Sequence, residues 1–437
     1  MSRELSRSFL SHAVRILQLI LCSVVLAGCS KGTVGTVPLQ PYRSNDVASA
    51  STAAQRFVHR AQERLSPHRT AQLLYSFEGG RDGAKPYAGL IALNGLLYGT
   101  TNVGGASDDG IVFEVDASGK ERVLYSFEGG EDGAYPRAGL LVVDGTLYGT
   151  TSEGGDESSN PYGNGTVFEV SPSGTERVLY SFKGGRDGAE PFAGLIAMNG
   201  KLYGTTAYGG ESQYGGSLGV KGLGTVFEVT TSGKERVLYR FKGGNDSAIP
   251  MADLIAVKGV LYGTTLAAVF KVNTSGEEHV LYRFKGGKDG ALAMAPLIAV
   301  GDKFYSTTYQ GGMNNEGTVF VVDASGKHRV LYSFAGGDDG AYPSAGLVDV
   351  NGTLYGTTAG GGGSGGGTSG GIVGDGTVYE VSTSGDEGVV YSFEGSYPYG
   401  DGANPVAGLV AVKRKLYGTT RDGGANDDGT VFEVLAD

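Results

Sequence analysis

EGGRDGAKPYAGLIALNGLLYGTTNVGGASDDGIVFEVDASGKERVLYSF, from Glu78 to Phe127, carries the pattern from which the architecture of the chain follows. Four runs rich in β-branched and aromatic residues lie in it, bounded by turn residues. AGLIAL meets LLYGTT through Asn94-Gly95, the dipeptide of a two-residue hairpin. VFEV turns through Asp116-Ala117-Ser118-Gly119 into ERVLYSF. In VLYSF, alternation puts Val123, Tyr125 and Phe127 on one face, Leu124 and Ser126 on the other. No run shows a helical period. The unit is therefore four antiparallel strands, a to d.

Working outward, the same unit recurs. LYGTT or a close variant starts at Leu97, Leu147, Leu202, Leu261, Phe304, Leu354 and Leu416. GTVFEV and LYSF segments recur equally often, and the tight turn returns as Asp144-Gly145, Asn199-Gly200 and Asn351-Gly352. Seven units of four short strands predict a seven-bladed all-β propeller. The ends fit a closed ring. An orphan d strand, Leu73 to Phe77, precedes the first unit, and only Leu435-Ala436-Asp437 follow the last c strand. The N-terminal strand is expected to complete the last blade. A β-solenoid is the rival, although its coils are usually shorter and need no such exchange.

Composition agrees. Glycine supplies 78 of 437 residues, far above the roughly 7% of ordinary proteins. No three-residue Gly period exists, which excludes collagen. The 40% of hydrophobic residues fall in patterned clusters, which argues against disorder. A net charge of −11 leaves no basic footprint for nucleic acid.

The N-terminus reads as an export signal. Arg3, Arg7 and Arg15 precede an apolar run, Ile16 to Ala27, too short to span a bilayer. The run ends in Leu26-Ala27-Gly28-Cys29, which resembles the bacterial lipobox, so Cys29 is the expected lipid attachment site. An ordinary secretory signal with an incidental Cys is the alternative. Ser30 after the Cys resembles outer-membrane sorting. Cys22 lies in the segment that would be removed, leaving no thiol for a disulfide, metal or nucleophile. The expected organisation is a signal peptide over 1–28, the lipidated Cys and a polar tether with a short helix over 29–71, and the propeller over 72–437. The expected state is a monomer held in the cell envelope by its lipid.

The pattern GGxDGAxPxAGL…LYGTT…GTVFEV…VLYSF resembles the GloVer tandem repeat of bacterial choice-of-anchor surface proteins, over residues 72–437. Blade 4 departs from it with Ala267-Ala268 for Gly-Thr, and blade 5 lacks the usual Pro after Asp289-Gly-Ala. The resemblance implies a surface location and a variable anchor. It implies no biochemical activity.

Propeller topology puts a–b and c–d turns on one face, d–a and b–c loops on the other. The b–c loops hold 8, 13, 17, 1, 8, 17 and 8 residues in blades 1 to 7. Length variation is thus concentrated on one face, where rigid scaffolds often present function. The blade 6 loop, AGGGGSGGGTSGGIVGD, reads as a flexible spacer. Tyr162, Tyr208, Tyr214 and Tyr309, with Tyr397 and Tyr399 of the blade 7 d–a loop, are the candidate binding residues, since Tyr offers stacking area and a hydroxyl to sugars or peptides. Packing on neighbouring loops is the alternative. The Tyr residues that repeat in every blade are expected to pack between blades.

An Asp occupies every d–a loop: Asp82, Asp132, Asp187, Asp246, Asp289, Asp339 and Asp401. A turn-stabilising role is expected, because Asp before Gly commonly accepts local N–H bonds. A calcium-collecting ring is the other reading. His279 and His328 precede d strands on the c–d side, away from the variable face. No catalytic residue, metal or cofactor is expected. Two function classes remain: a non-catalytic propeller binding a polysaccharide, peptide or envelope protein through its b–c and d–a loops, and an enzyme acting on polysaccharide through Glu153, Asp156, Glu157 and Glu211.

Overall fold

The computed structural model describes residues 70–436 except 159, 211–221, 363–367, 370–371 and 396–399. The expected signal peptide, Cys29 and most of the tether lie outside the described residues. Blade 1 is built as the sequence predicts: strands Ile91–Leu93 (a), Leu96–Thr101 (b), Ile111–Val115 (c) and Glu121–Ser126 (d), paired antiparallel in that order. Blades 2 to 6 repeat the order. Blade 7 has Val410–Val412, Lys415–Thr420 and Thr430–Leu435, and its fourth strand is the N-terminal Gln72–Ser76. The seven a strands touch their neighbours in an unbroken ring, blade 7 meeting blade 1. The chain is a seven-bladed β-propeller closed by its N-terminal strand.

The d strands differ from strict alternation. Each c–d ladder carries a bulge at the same place: Phe113 faces Val123 while Val112 faces Tyr125, so Leu124 is the extra residue. Val123 and Tyr125 therefore point to opposite faces, which corrects the simple alternation expected for VLYSF. The closing strand shows the same irregularity, between Leu73 and Tyr75. The bulge has a use at the blade junction. A Cβ on Gly119, in the c–d turn of blade 1, would lie 2.2 Å from the Leu74 carbonyl oxygen of blade 7. With φ at 82°, this turn position is held by Gly for both its backbone and the contact. Five further turns repeat the approach, for example Gly174 over Leu124.

The core is divided among seven clusters, one between each pair of blades. Between blades 1 and 2, Tyr98, Val112, Leu124 and Phe127 pack on Leu140, Leu147, Phe168 and Val170. Phe127 meets Phe168 edge-on at 5.1 Å, and the corresponding ring pair recurs at the other junctions. The repeated Tyr residues thus pack between blades, as expected. The Gly of LYGTT leaves room for this ring. A Cβ on Gly149 would lie 2.5 Å from Phe168 Cζ and 3.0 Å from Leu140 Cδ2. Blade 5 accepts Ser306 at this place, its hydroxyl donating to the Ala295 carbonyl at 3.1 Å. Gly149→Val, larger and branched, should destabilise the domain by about 2 kcal/mol or more through overpacking, read as a lower denaturant midpoint.

The blade 6 b–c loop is more than a spacer. It contains a two-stranded ladder, Thr368–Ser369 against Ile372–Val373.

Candidate ligand-binding face

The Asp of each d–a loop is a clamp. Asp132 accepts the Tyr125 hydroxyl at 2.7 Å on one oxygen and the Glu128 N–H at 2.8 Å on the other. Asp82 does the same with Tyr75 and Glu78, both at 2.7 Å. The other five repeat the pattern, from Asp187 to Asp401. Both carboxylate oxygens are occupied by the turn itself, which supports the turn-stabilising reading. Among the described residues, no group of three His, Cys, Asp or Glu could hold a metal ion.

Past the clamp, the seven-fold symmetry fails. One residue per blade, just before the Pro position, adopts a left-handed backbone although it is not Gly: Lys85, Tyr135, Glu190, Ile249, Leu292, Tyr342 and Asn404, with φ between 53° and 60°. Such backbone costs roughly 1–2 kcal/mol per residue, and strain of this kind persists where surroundings over-determine it. Here the N–H is captured by the previous blade: Lys85 donates to the Asp428 carbonyl at 2.8 Å and Tyr135 to that of Asp109 at 2.9 Å. Two residues further on come Tyr87, Arg137, Phe192, Met251, Met294, Ser344 and Val406. They directly precede the innermost strands, so they encircle the mouth of the axial bore on the d–a and b–c side. The residue before is Pro in every blade but the fifth, and the residue after is always Ala; these positions differ in chemistry from blade to blade.

The mouth is a belt of rings and charges. The Arg137 guanidinium lies 5.8 Å from the Tyr87 ring centre and 5.0 Å from that of Phe192, joining blades 1, 2 and 3. Arg421 of blade 7 covers Tyr87 at 5.7 Å. Phe192 meets Tyr208 edge-on at 6.4 Å, and Tyr309 leans on Tyr342 at 5.2 Å. Burial pushes the Tyr309 hydroxyl upward, partly offset by the charge of Arg421, two blades away across the bore. Asp422 accepts Arg421 Nε and Lys85 Nζ, each at 2.9 Å, and Asn404 Nδ2 at 2.7 Å. Its burial opposes ionisation, yet these donors hold its carboxyl below the usual range.

Two other carboxyls behave oppositely. Glu190 is pushed up to about 7 by burial and then by Glu153, against the pull of Arg137. Glu153 is also raised by burial against Arg137. Below the mouth the neighbouring blades approach closely. A Cβ on Gly89 would lie 2.9 Å from the Gly408 carbonyl, and one on Gly194 3.0 Å from that of Gly139. Blade 4 has Asp253 where these blades have Gly, and its Oδ1 accepts the Gly194 N–H at 2.6 Å. Desolvation inside the bore raises its carboxyl, though solvent still reaches the side chain.

Of the Tyr residues expected at the site, the structure brings Tyr208 and Tyr309 to the mouth. Tyr162 stands apart on the blade 2 loop, 58% exposed. Tyr214, Tyr397, Tyr399 and Glu211 lie outside the described residues. Glu153 is at the mouth, whereas Asp156 and Glu157 line a separate shallow cavity of about 590 Å³ with Glu131 and Ser181. His328 is less remote from the d–a loops than expected. Blade twist carries the start of its d strand onto the preceding clamp, where it stacks on Tyr282 at 4.0 Å and its Nδ1 lies 3.5 Å from Asp289. Tyr87, Arg137, Phe192, Arg421, Asp422 and Lys85 were not legible as site residues from loop length. Their positions vary from unit to unit beside well-repeated ones, which is the signal that marks them.

Residues 63–268 match the Gloeobacter/Verrucomicrobia repeat. This repeat region covers blades 1 to 3 and the start of blade 4, and the later blades continue the same strand pattern. No curated protein matches the chain. Among solved structures, the extracellular domain of the putative hybrid two component system BT4673 from B. thetaiotaomicron aligns with a TM-score of 0.53 at 11% identity, over 83% of this chain and 40% of that one. The tricorn protease aligns with a TM-score of 0.40 at 11% identity, over 76% and 27%. Puromycin hydrolase gives 0.44 at 16%, over 75% and 47%. The chain therefore spans less than half the length of these three structures. Identities this low speak to the fold alone.

Proposed function

We propose that this chain is a non-catalytic binding propeller, tethered to the bacterial envelope through lipid on Cys29, whose ligand docks at the mouth of the d–a and b–c face. The observation that carries the reading is the loss of seven-fold symmetry at that mouth. Strands, turns and clamps repeat for the sake of packing; a ring of Tyr, Arg, Phe, Met, Ser and Val at one structural position serves no common packing need. The strand supplied by the N-terminus begins at its c–d end, Gln72 facing Glu433. The chain therefore enters the propeller on the side away from the mouth. Outer-membrane placement follows from Ser30 in this reading.

The purified chain and its Arg137→Ala variant should be compared on panels of purified glycans and peptides. The expected result is a ligand retained by the parent and lost by the variant. Equal retention would move binding off the mouth.

One observation favours a second reading, hydrolysis of a polysaccharide. Glu190, raised to about 7, lies with Glu153 at the same mouth, and a carboxyl kept protonated near neutrality is what a general acid requires. Release of reducing ends by the chain, abolished in Glu190→Gln, would reverse the order of the two readings.

A further inference from the structure

Resting on the binding reading, we propose that the ligand is an acidic glycan, a uronate-bearing chain whose carboxylate is taken by the Arg137 guanidinium while its sugar rings lie across the Tyr-rich mouth beside it.

Arg137 is unlike the other arginines of the repeat. Arg122 and Arg177 are each tied to a Glu on their own blade and to a carbonyl of the next. Arg236 is held in the same way. Arg137 is exposed, and among the described residues it has ring contacts but neither a hydrogen-bond acceptor nor a carboxylate within ion-pair distance. Two aromatic rings lie against the exposed guanidinium, and its donors form a rigid planar fork. That fork matches a carboxylate bidentately. The nearest carboxyls do not cancel its charge completely. Glu153 and Glu190 sense it, and both are raised towards the neutral form.

The surroundings select the charge and the scaffold of the ligand. One unpaired cation stands among Asp422, Glu153 and Asp253 on a chain of net charge −11, so a monoanion is accommodated better than a phosphate dianion. Tyr87, Arg137 and Phe192 at the mouth are half-buried or exposed, so their side chains are open to a ligand. Its aromatic surface is mainly Tyr, which presents a flat apolar face with a hydroxyl at the edge. Such a surface suits the flat faces and hydroxyls of sugars.

Isothermal titration of the purified chain with hexagalacturonate, its carboxyl-reduced hexagalactose counterpart and hexaglutamate tests the assignment. Hexagalacturonate should bind at least about tenfold tighter than either of the other two. Arg137→Gln should weaken hexagalacturonate about 10- to 100-fold, the span of a charge-assisted pair, and leave the reduced form unchanged. Arg137→Lys, keeping charge without the fork, should fall between. An unchanged melting temperature confirms that both variants fold. Equal binding of the uronate and its reduced form, or an Arg137→Gln variant that binds like the parent, overturns the carboxylate assignment. Preference for hexaglutamate overturns the glycan class. If none of the three binds while the panel still finds an Arg137-dependent ligand, this inference falls and the binding reading stands; if that ligand is also missing, both fall.

Discussion

Raising the pH from 5 to 8 should lower the melting temperature of this propeller by roughly 5 °C. The cause is a repeated carboxyl at the blade junctions. The first residue of the d strand is Glu in blades 1 to 4 and again in blade 6, as Glu387, and each of Glu121, Glu176, Glu235 and Glu278 is pushed up to about 7. Burial is the main cause in every case, and the clamp Asp of the preceding junction is the next: Asp82, Asp132, Asp187 and Asp246 respectively. The folded chain therefore holds protons that the unfolded chain, with ordinary carboxyls near 4.5, has released. Stability is greatest below that lower value and falls as pH rises towards 7, where the carboxylates must ionise beside an Asp. The side chains are only half-buried, so solvent screening reduces each contribution to about 1 kcal/mol. Four such sites against an unfolding entropy near 2.1 cal/mol/K per residue give the few degrees stated.

His328 takes the Glu position in blade 5 and works in the opposite sense. Burial lowers its pKa, against the pull of Asp289, so it favours higher pH. The closing strand has Ala71 at this position and contributes nothing. Changing the four Glu residues to Gln keeps their neutral shape and should flatten the decline. A melting temperature that still falls as steeply in the quadruple variant would remove these carboxyls as the cause.

What the sequence revealed and what it concealed divide along the repeat. The strands, their order and the borrowed strand were legible because Asn94-Gly95, LYGTT and VFEV recur, and a pattern repeated seven times leaves little choice of hairpin or register. The clamp role of Asp132 was legible for the same reason. The bulge at Leu124 was not, because an inserted residue leaves the letters VLYSF unchanged and only the facing strand reveals the slip. Nor was the contact of His328 with Asp289, which depends on blade twist. The mouth was half visible. Loop length drew attention to Tyr208 and Tyr309, but also to Tyr162, which the fold leaves on the rim. Arg137 was hidden in a short, well-conforming segment, YPRAGL, where conformity to the repeat looked like purely structural duty. Its meaning comes from Tyr87 and Phe192, which are 50 and 55 residues away in the chain and become neighbours only when three blades are set round an axis.

Phe77→Ala should cost as much stability as Phe127→Ala, about 3–5 kcal/mol, although Phe77 directly follows the first short strand of the domain. The two positions are matched. Both side chains are fully buried, and each meets the Phe of the next c strand at 5.1 Å, Phe113 for one and Phe168 for the other. Each backbone N–H donates at 3.0 Å to the residue opening a c strand, Gly429 or Gly110. The difference is only that Phe127 is joined to its blade by a short turn, whereas Phe77 reaches blade 7 from the other end of the sequence. If the strand is an obligatory part of the ring, that difference is without effect, and guanidinium midpoints of the two variants should coincide within error. A cost below about 1 kcal/mol for Phe77→Ala alone, well outside the range for a buried Phe, would mean an open ring. Removing residues 1–77 should act more severely. It uncovers Phe113, Val115 and Val431 of the junction between blades 7 and 1 and leaves the ladder edge of Thr430–Leu435 unpaired, the two features that drive strand exchange and aggregation. The truncated chain should lose its cooperative transition or run as larger species in gel filtration. A peptide spanning residues 70–78, supplied in excess, should restore the transition, because the missing piece is an edge strand whose register is already set by the bulge and by the Gly429 carbonyl.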